Sequence, residues 1–80
     1  MNLIPNPAND VVELNFSSET DKACSIIIYD KKGKKVEDKF YYALAGNNSV
    51  EIDLKNYDAG IYFVILTAGE TSYKRKLIKQ

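Results

Sequence analysis

Short runs in which apolar and polar residues alternate, broken by turn residues, fill most of this chain. From Val11 to Phe16, Val12, Leu14 and Phe16 fall on one side and Glu13 and Asn15 on the other. That period of two marks a half-buried strand. Ala23–Tyr29 repeats it with Cys24, Ile26 and Ile28 inward. Ser49–Leu54 repeats it again, with Val50, Ile52 and Leu54 in and Glu51 and Asp53 out. Between them, Asp30-Lys31-Lys32-Gly33 reads as a tight hairpin turn, Asp at its start and Gly where a positive φ is needed. The returning strand, Lys34–Tyr42, has Val36 as its clearest apolar anchor. Phe40 and Tyr42 are expected to flank the core there, with Tyr41 half-exposed. Ile61–Ala68 is almost continuously apolar, which predicts a central strand covered on both faces or nearly so. Thr71–Ile78 is the last strand.

The remaining segments punctuate these strands. Asn2 to Asp10 carries both prolines, Pro5 and Pro7, and predicts a short edge strand followed by a rigid extended turn. Ser17–Lys22, Ala45–Asn48, Lys55–Gly60 and Ala68–Glu70 are connections. No stretch sustains the apolar spacing of a helix. About seven short strands, with turn signals roughly every 8–12 residues, predict one all-β domain spanning residues 1–80. The fold expected is an immunoglobulin-like β-sandwich of antiparallel strands. Its predicted core is Val12, Leu14, Cys24, Ile26, Ile28, Val50, Ile52, Leu54, Tyr62, Val64 and Leu66.

One local motif sharpens this. In Asp58-Ala59-Gly60-Ile61-Tyr62-Phe63-Val64, a tyrosine stands near the start of the sixth strand. Immunoglobulin-like domains use such a tyrosine to bond back to the backbone a few residues upstream and fix the corner between sheets. Tyr62 is expected to fill that role, with Gly60 permitting the sharp turn into the strand. Val64 stands where antibody domains carry their second cysteine, so the tyrosine replaces the disulfide.

Composition narrows the function. Eleven Lys+Arg balance eleven Asp+Glu, which argues against a general nucleic-acid binder. There is no histidine and one cysteine, Cys24. Ser-His-Asp and Cys-His nucleophiles, an internal disulfide and a cysteine-rich zinc site are therefore beyond this chain. No apolar run approaches the roughly 20 residues of a membrane-spanning helix. No signal-peptide pattern opens the chain, which leaves its compartment undecided. A binding, adhesion or signal module is expected, with no catalytic residue, no cofactor and no metal.

Several groups of side chains carry candidate chemistry. Glu51 and Asp53 lie two apart on one strand, about 7 Å from each other. A flat solvent face offers no pocket to separate their pKa values, so catalysis is not expected of them. Calcium binding through Asn47, Asn48, Glu51 and Asp53 lacks the spacing of a calcium loop. Lys31, Lys32, Lys34 and Lys35 read as a solvated hairpin tip. On the final strand, Lys74, Lys76 and Ile78 point one way and Tyr73, Arg75, Leu77 and Lys79 the other. If that strand is an edge, its open hydrogen bonds and basic side chains suit capture by strand addition.

Three separated motifs, taken together, resemble a known family. They are Pro5-Asn6-Pro7-Ala8-Asn9-Asp10-Val11, then Ile28-Tyr29-Asp30 with Gly33 and Val36, then Ala59-Gly60-Ile61-Tyr62-Phe63-Val64 closing with Lys76-Leu77-Ile78-Lys79. In this order they resemble the type A C-terminal sorting domain of the type IX (Por) secretion system, over essentially the whole chain. Cys24 and the final Gln80 are departures from that pattern. The resemblance implies a seven-stranded sandwich at the end of a larger exported protein of a gram-negative bacterium. It implies three partners in the outer membrane: a translocon, a shuttle protein and a sortase-like cysteine protease that removes the domain by cutting upstream of it. The N-terminal cargo travels from the periplasm to the cell surface or beyond, often to be joined to an anionic lipopolysaccharide. Candidate binding residues on this reading are Pro5, Asn6, Pro7, Gly60, Tyr62, Lys74, Lys76 and Lys79. The rival expectation is a fibronectin-like or carbohydrate-binding accessory module of a secreted enzyme.

Overall fold

Seven strands organise the chain, and the computed structural model describes every residue from Met1 to Gln80. They are β1 (Asn2–Ile4), β2 (Val11–Ser18), β3 (Lys22–Asp30), β4 (Lys35–Ala43), β5 (Gly46–Asp53), β6 (Gly60–Ala68) and β7 (Thr71–Lys79). The apolar alternation decides who pairs with whom. Val12 and Leu14 of β2 oppose Ile52 and Val50 of β5, so both strands turn their apolar side inward together. On β3, Ile26 and Ile28 stand beside Leu66 and Val64 of β6. All ladders are antiparallel, in a three-stranded sheet ordered β1-β2-β5 and a four-stranded sheet ordered β4-β3-β6-β7.

The result is an all-β sandwich, as the turn spacing predicts. In the constant-type immunoglobulin arrangement the fourth strand joins the sheet of the first, second and fifth. Here β4 pairs with β3 instead. The core lies between the sheets and contains all eleven residues of the predicted core. Leu3, Ala8, Phe16, Ala43 and Leu77 complete it. Cys24 is buried and unpaired.

The corner tyrosine is in place. The Tyr62 hydroxyl donates to the Asp58 carbonyl at 2.6 Å. Its ring meets Tyr57 edge-on, with centroids 5.2 Å apart. Burial raises the pKa of both phenols, and the Glu37 carboxylate, which accepts from the Tyr57 hydroxyl at 3.3 Å, raises that of Tyr57 further. Gly60 takes φ +152°, a value side chains rarely adopt, and so lets the chain turn into β6. Tyr62→Phe removes the bond to the Asp58 carbonyl and is expected to cost about 1–2 kcal/mol. A urea titration should show the midpoint falling at unchanged slope.

Two expectations about strand faces are corrected. In the β3–β4 ladder Tyr29 pairs with Lys35 but Ile28 pairs with Glu37, so Val36 is an extra, bulged residue. A single extra residue reverses the alternation of everything after it. Val36 is therefore 40% exposed instead of an anchor, and Phe40 and Tyr42 stand 83% and 63% exposed instead of flanking the core. The inward set of β4 is Glu37, Lys39, Tyr41 and Ala43, opposite Ile28, Ile26, Cys24 and Lys22. Tyr41 is half-buried, as expected, and meets Phe16 edge-on at 6.0 Å. The second correction concerns β6. It is central, but only Tyr62, Val64 and Leu66 are fully covered. Phe63 and Ile65 lie half-buried on an outer face with no layer above it, and Lys74 shields the Phe63 ring from 4.7 Å.

Candidate functional site

The prolines determine how the amino-terminal segment can pair. Pro5 and Pro7 have no N–H, so a regular ladder through this segment is impossible. Asn6 and Ala8, the residues between and after them, make the bonds instead. The Asn6 side-chain amide donates from Nδ2 to the Lys76 carbonyl at 2.7 Å. Its Oδ1 accepts from the Ile78 N–H at 3.0 Å. One side chain thus occupies both backbone groups that a neighbouring strand would have used. Ala8 continues with its own backbone, donating to the Ile78 carbonyl and accepting from the Gln80 N–H, both at 2.8 Å. The segment lies parallel to β7, with Ala8 beside Lys79, and Ala8 is buried.

On its other side β7 pairs with β6. Gly60 opposes Lys79, Ile61 opposes Ile78 and Tyr62 opposes Leu77. The three stretches that sequence reading singled out therefore lie side by side: the Pro5–Ala8 strap, the Leu77–Lys79 end of β7 and the Gly60–Tyr62 start of β6. Leu77 plugs the core, while Lys74 and Lys76 project, exposed, from the outer face with half-buried Ile78. Lys79 turns to the opposite side, half-buried, and its ammonium donates to the Gln80 carbonyl at 2.9 Å.

The arrangement changes what this strand offers. β7 is an edge of its sheet, as anticipated, but its C-terminal half is already covered by Asn6 and Ala8. Strand addition at Lys76–Lys79 would have to displace the strap. What remains open there is side-chain chemistry: two ammonium groups on an apolar sheet face. The opposite sheet is its electrostatic counterpart, with Glu13 across from Glu51 on β2 and β5 and Asp53 on the same outer face. Equal charge totals thus hide a basic face and an acidic one.

Other candidate groups do not assemble. Asn48 points inward. Its Oδ1 accepts from the Leu44 N–H at 3.0 Å, and its Nδ2 donates to the Leu44 and Gly46 carbonyls at 2.8 and 3.2 Å. It cannot join Glu51 and Asp53, which face solvent, around a calcium ion. The Lys31–Lys35 tip is exposed, folded by Asp30, whose Oδ1 accepts from the N–H groups of Lys32 and Lys34. Sequence reasoning missed the strap, because it is made by one side-chain amide reaching 70 positions along the chain. The alternation of proline with a bonding residue was the only local hint.

The fold is thus an all-β sandwich whose amino-terminal segment straps its last strand. The family model of the secretion system C-terminal sorting domain matches residues 2–80. The chain belongs to that family, the C-terminal sorting signals of type IX secretion. No curated protein and no solved structure matches it. A sorting domain is not itself catalytic; it serves an attached cargo, engages the type IX machinery and marks a secreted or cell-surface protein. The accessory-module alternative is not favoured. No helix is long and apolar enough to cross a membrane.

Proposed function

We propose that the outer face of β7, held in place by the Pro5–Ala8 strap, is the surface by which the secretion machinery reads this domain. The supporting observation is the meeting of the first and third family motifs along one strand, β7. Lys74, Lys76 and Ile78 present charge and apolar contact together. Pro5, Asn6, Pro7, Gly60 and Tyr62 act by shaping and fixing the strand, and Lys79 by closing its end. An outer-membrane shuttle protein with an acidic, partly apolar groove fits this face by charge complementarity. In this reading the cargo passes from the periplasm through the outer-membrane translocon, and a sortase-like protease then cuts upstream of the folded domain.

The test is a fusion of this domain to the C-terminus of a periplasm-directed reporter, in a host with a type IX system. The parent fusion is expected outside the cell. Lys74→Gln with Lys76→Gln should leave the melting midpoint nearly unchanged, both side chains being exposed. Export should nevertheless fall about tenfold or more, the scale of losing two charge contacts worth roughly 1 kcal/mol each. Lys31, Lys32, Lys34 and Lys35 replaced by Gln should export like the parent. Normal export of the folded Lys74/Lys76 variant would overturn the assignment of this face.

A further inference from the structure

Half of the exposed large apolar side chains of this protein sit on one strand and the residue just beyond it. Of eight such residues, Val36, Phe40, Tyr42 and Leu44 belong to β4 and its end. That strand is also an uncovered edge. The Asp30 N–H donates to the Lys34 carbonyl, which fixes the even-numbered backbone groups of β3 toward β4. The groups of Glu37, Lys39 and Tyr41 on β4 answer them. Those of Asp38, Phe40 and Tyr42 therefore face away, where no strand pairs.

The other edges are protected. β1 has three residues, and β7 is strapped along its C-terminal half. β5 turns Asn47, Ser49, Glu51 and Asp53 to solvent. β4 alone combines a nine-residue strand open along one side with two exposed aromatic side chains, Phe40 and Tyr42. Such an edge is a template for another strand.

We propose that β4 pairs antiparallel with β4 of a second copy of this chain, about a twofold axis at Phe40. The two four-stranded sheets then become one continuous sheet. Like charges exclude the registers centred on Asp38 and Lys39, and Phe40, the most exposed apolar residue of the edge, takes the centre. A pairing centred on Asp38 sets that carboxylate against itself, and one centred on Lys39 opposes two ammonium groups. Centred on Phe40, the pairing sets Phe40 against Phe40, Tyr42 against Asp38, Tyr41 against Lys39, Ala43 against Glu37 and Leu44 against Val36. No like charges meet, and every exposed apolar residue of the strand gains a neighbour. The interface uses the same patch on both copies, as a twofold dimer requires. A single strand edge buries less than a standard interface, so the dimer forms and dissociates with concentration.

Sedimentation equilibrium on the chain tests this. The mass should rise from 9.0 kDa toward twice that value as concentration climbs toward about 1 mM. Phe40→Lys places two cations on the axis and should weaken association at least about tenfold, the loss expected of a central aromatic anchor. Tyr73→Lys, at an exposed aromatic of β7, should associate like the parent. Both variants should keep the parent's melting midpoint. Phe40→Cys should form a disulfide-linked dimer on mild oxidation, since directly opposed residues in a bonded pair stand about 5.5 Å apart at Cα. Tyr73→Cys should not, and buried Cys24 stays out of the reaction. A mass fixed at 9.0 kDa throughout, growth beyond a dimer, or undiminished association of Phe40→Lys overturns the proposal. So does pairing of this edge with a different protein while the chain alone stays monomeric.

Discussion

Removing Leu77–Gln80 is expected to abolish the cooperative thermal transition altogether. Leu77 is completely buried between the sheets. The same cut deletes the Ile78 and Gln80 groups that bond Asn6 and Ala8, so the strap loses most of its hold. It also takes Leu77, Ile78 and Lys79 from the start of β6, where the corner tyrosine sits. A domain of this size holds roughly 4–12 kcal/mol in total. Leu77→Ala alone should cost about 2–5 kcal/mol, from the lost apolar contact and the cavity left behind. Circular dichroism followed through a melt separates the cases: no transition for the truncation, a lowered but sharp one for Leu77→Ala. A truncated fusion trapped in the periplasm would accordingly report unfolding. The recognition test needs surface substitutions on β7 that leave Leu77 and the strap intact.

Asn48→Ala should be the most damaging polar substitution in the chain, at about 2–4 kcal/mol. Asn48 is the one buried polar residue. It serves the passage where the chain leaves β4 in one sheet and begins β5 in the other. Its amide satisfies both backbone groups of Leu44 and the carbonyl of Gly46, and its Oδ1 accepts weakly from the Tyr41 hydroxyl at 3.4 Å. Removing it leaves several polar groups near the core without partners, each costing about 1–3 kcal/mol where water cannot replace the lost bond. Asn47→Ala, one residue earlier and exposed, should change the unfolding free energy read from a urea titration by less than about 0.5 kcal/mol. Equal effects from the two would show that the corner does not depend on the buried amide.

Where the sequence could be read and where it could not follows from the range of the interactions. β2, β3, β5 and β6 are legible because their inward residues are strongly apolar and spaced by two, and burial enforces that pattern. The tyrosine corner is legible because Asp58, Gly60 and Tyr62 are neighbours in sequence. β4 misleads for a specific reason. Read forward from Val36, its period of two selects Phe40 and Tyr42, the largest apolar residues, for the core. One bulged residue moves the choice to Glu37, Lys39, Tyr41 and Ala43. Nothing local announces that shift, since it is settled by the Tyr41 ring on Phe16, the Asn48 corner and the small buried Ala43. The candidate site divides the same way. Its residues stand out individually, yet their assembly depends on the Asn6 amide reaching Lys76 and Ile78 across nearly the whole chain.

That long reach also gives the domain a test of completeness. Within the domain the strap is synthesised before its partner strand, with about 70 residues between them. A ribosome that stops short of Gln80 leaves Asn6 and Ala8 without their acceptors and donors, and leaves the sandwich open where Leu77 should seal it. On the proposed reading, a component of the type IX machinery that grips only the closed form selects against interrupted translation products and nicked chains without inspecting the cargo. The address is legible only once the whole label has been written and folded.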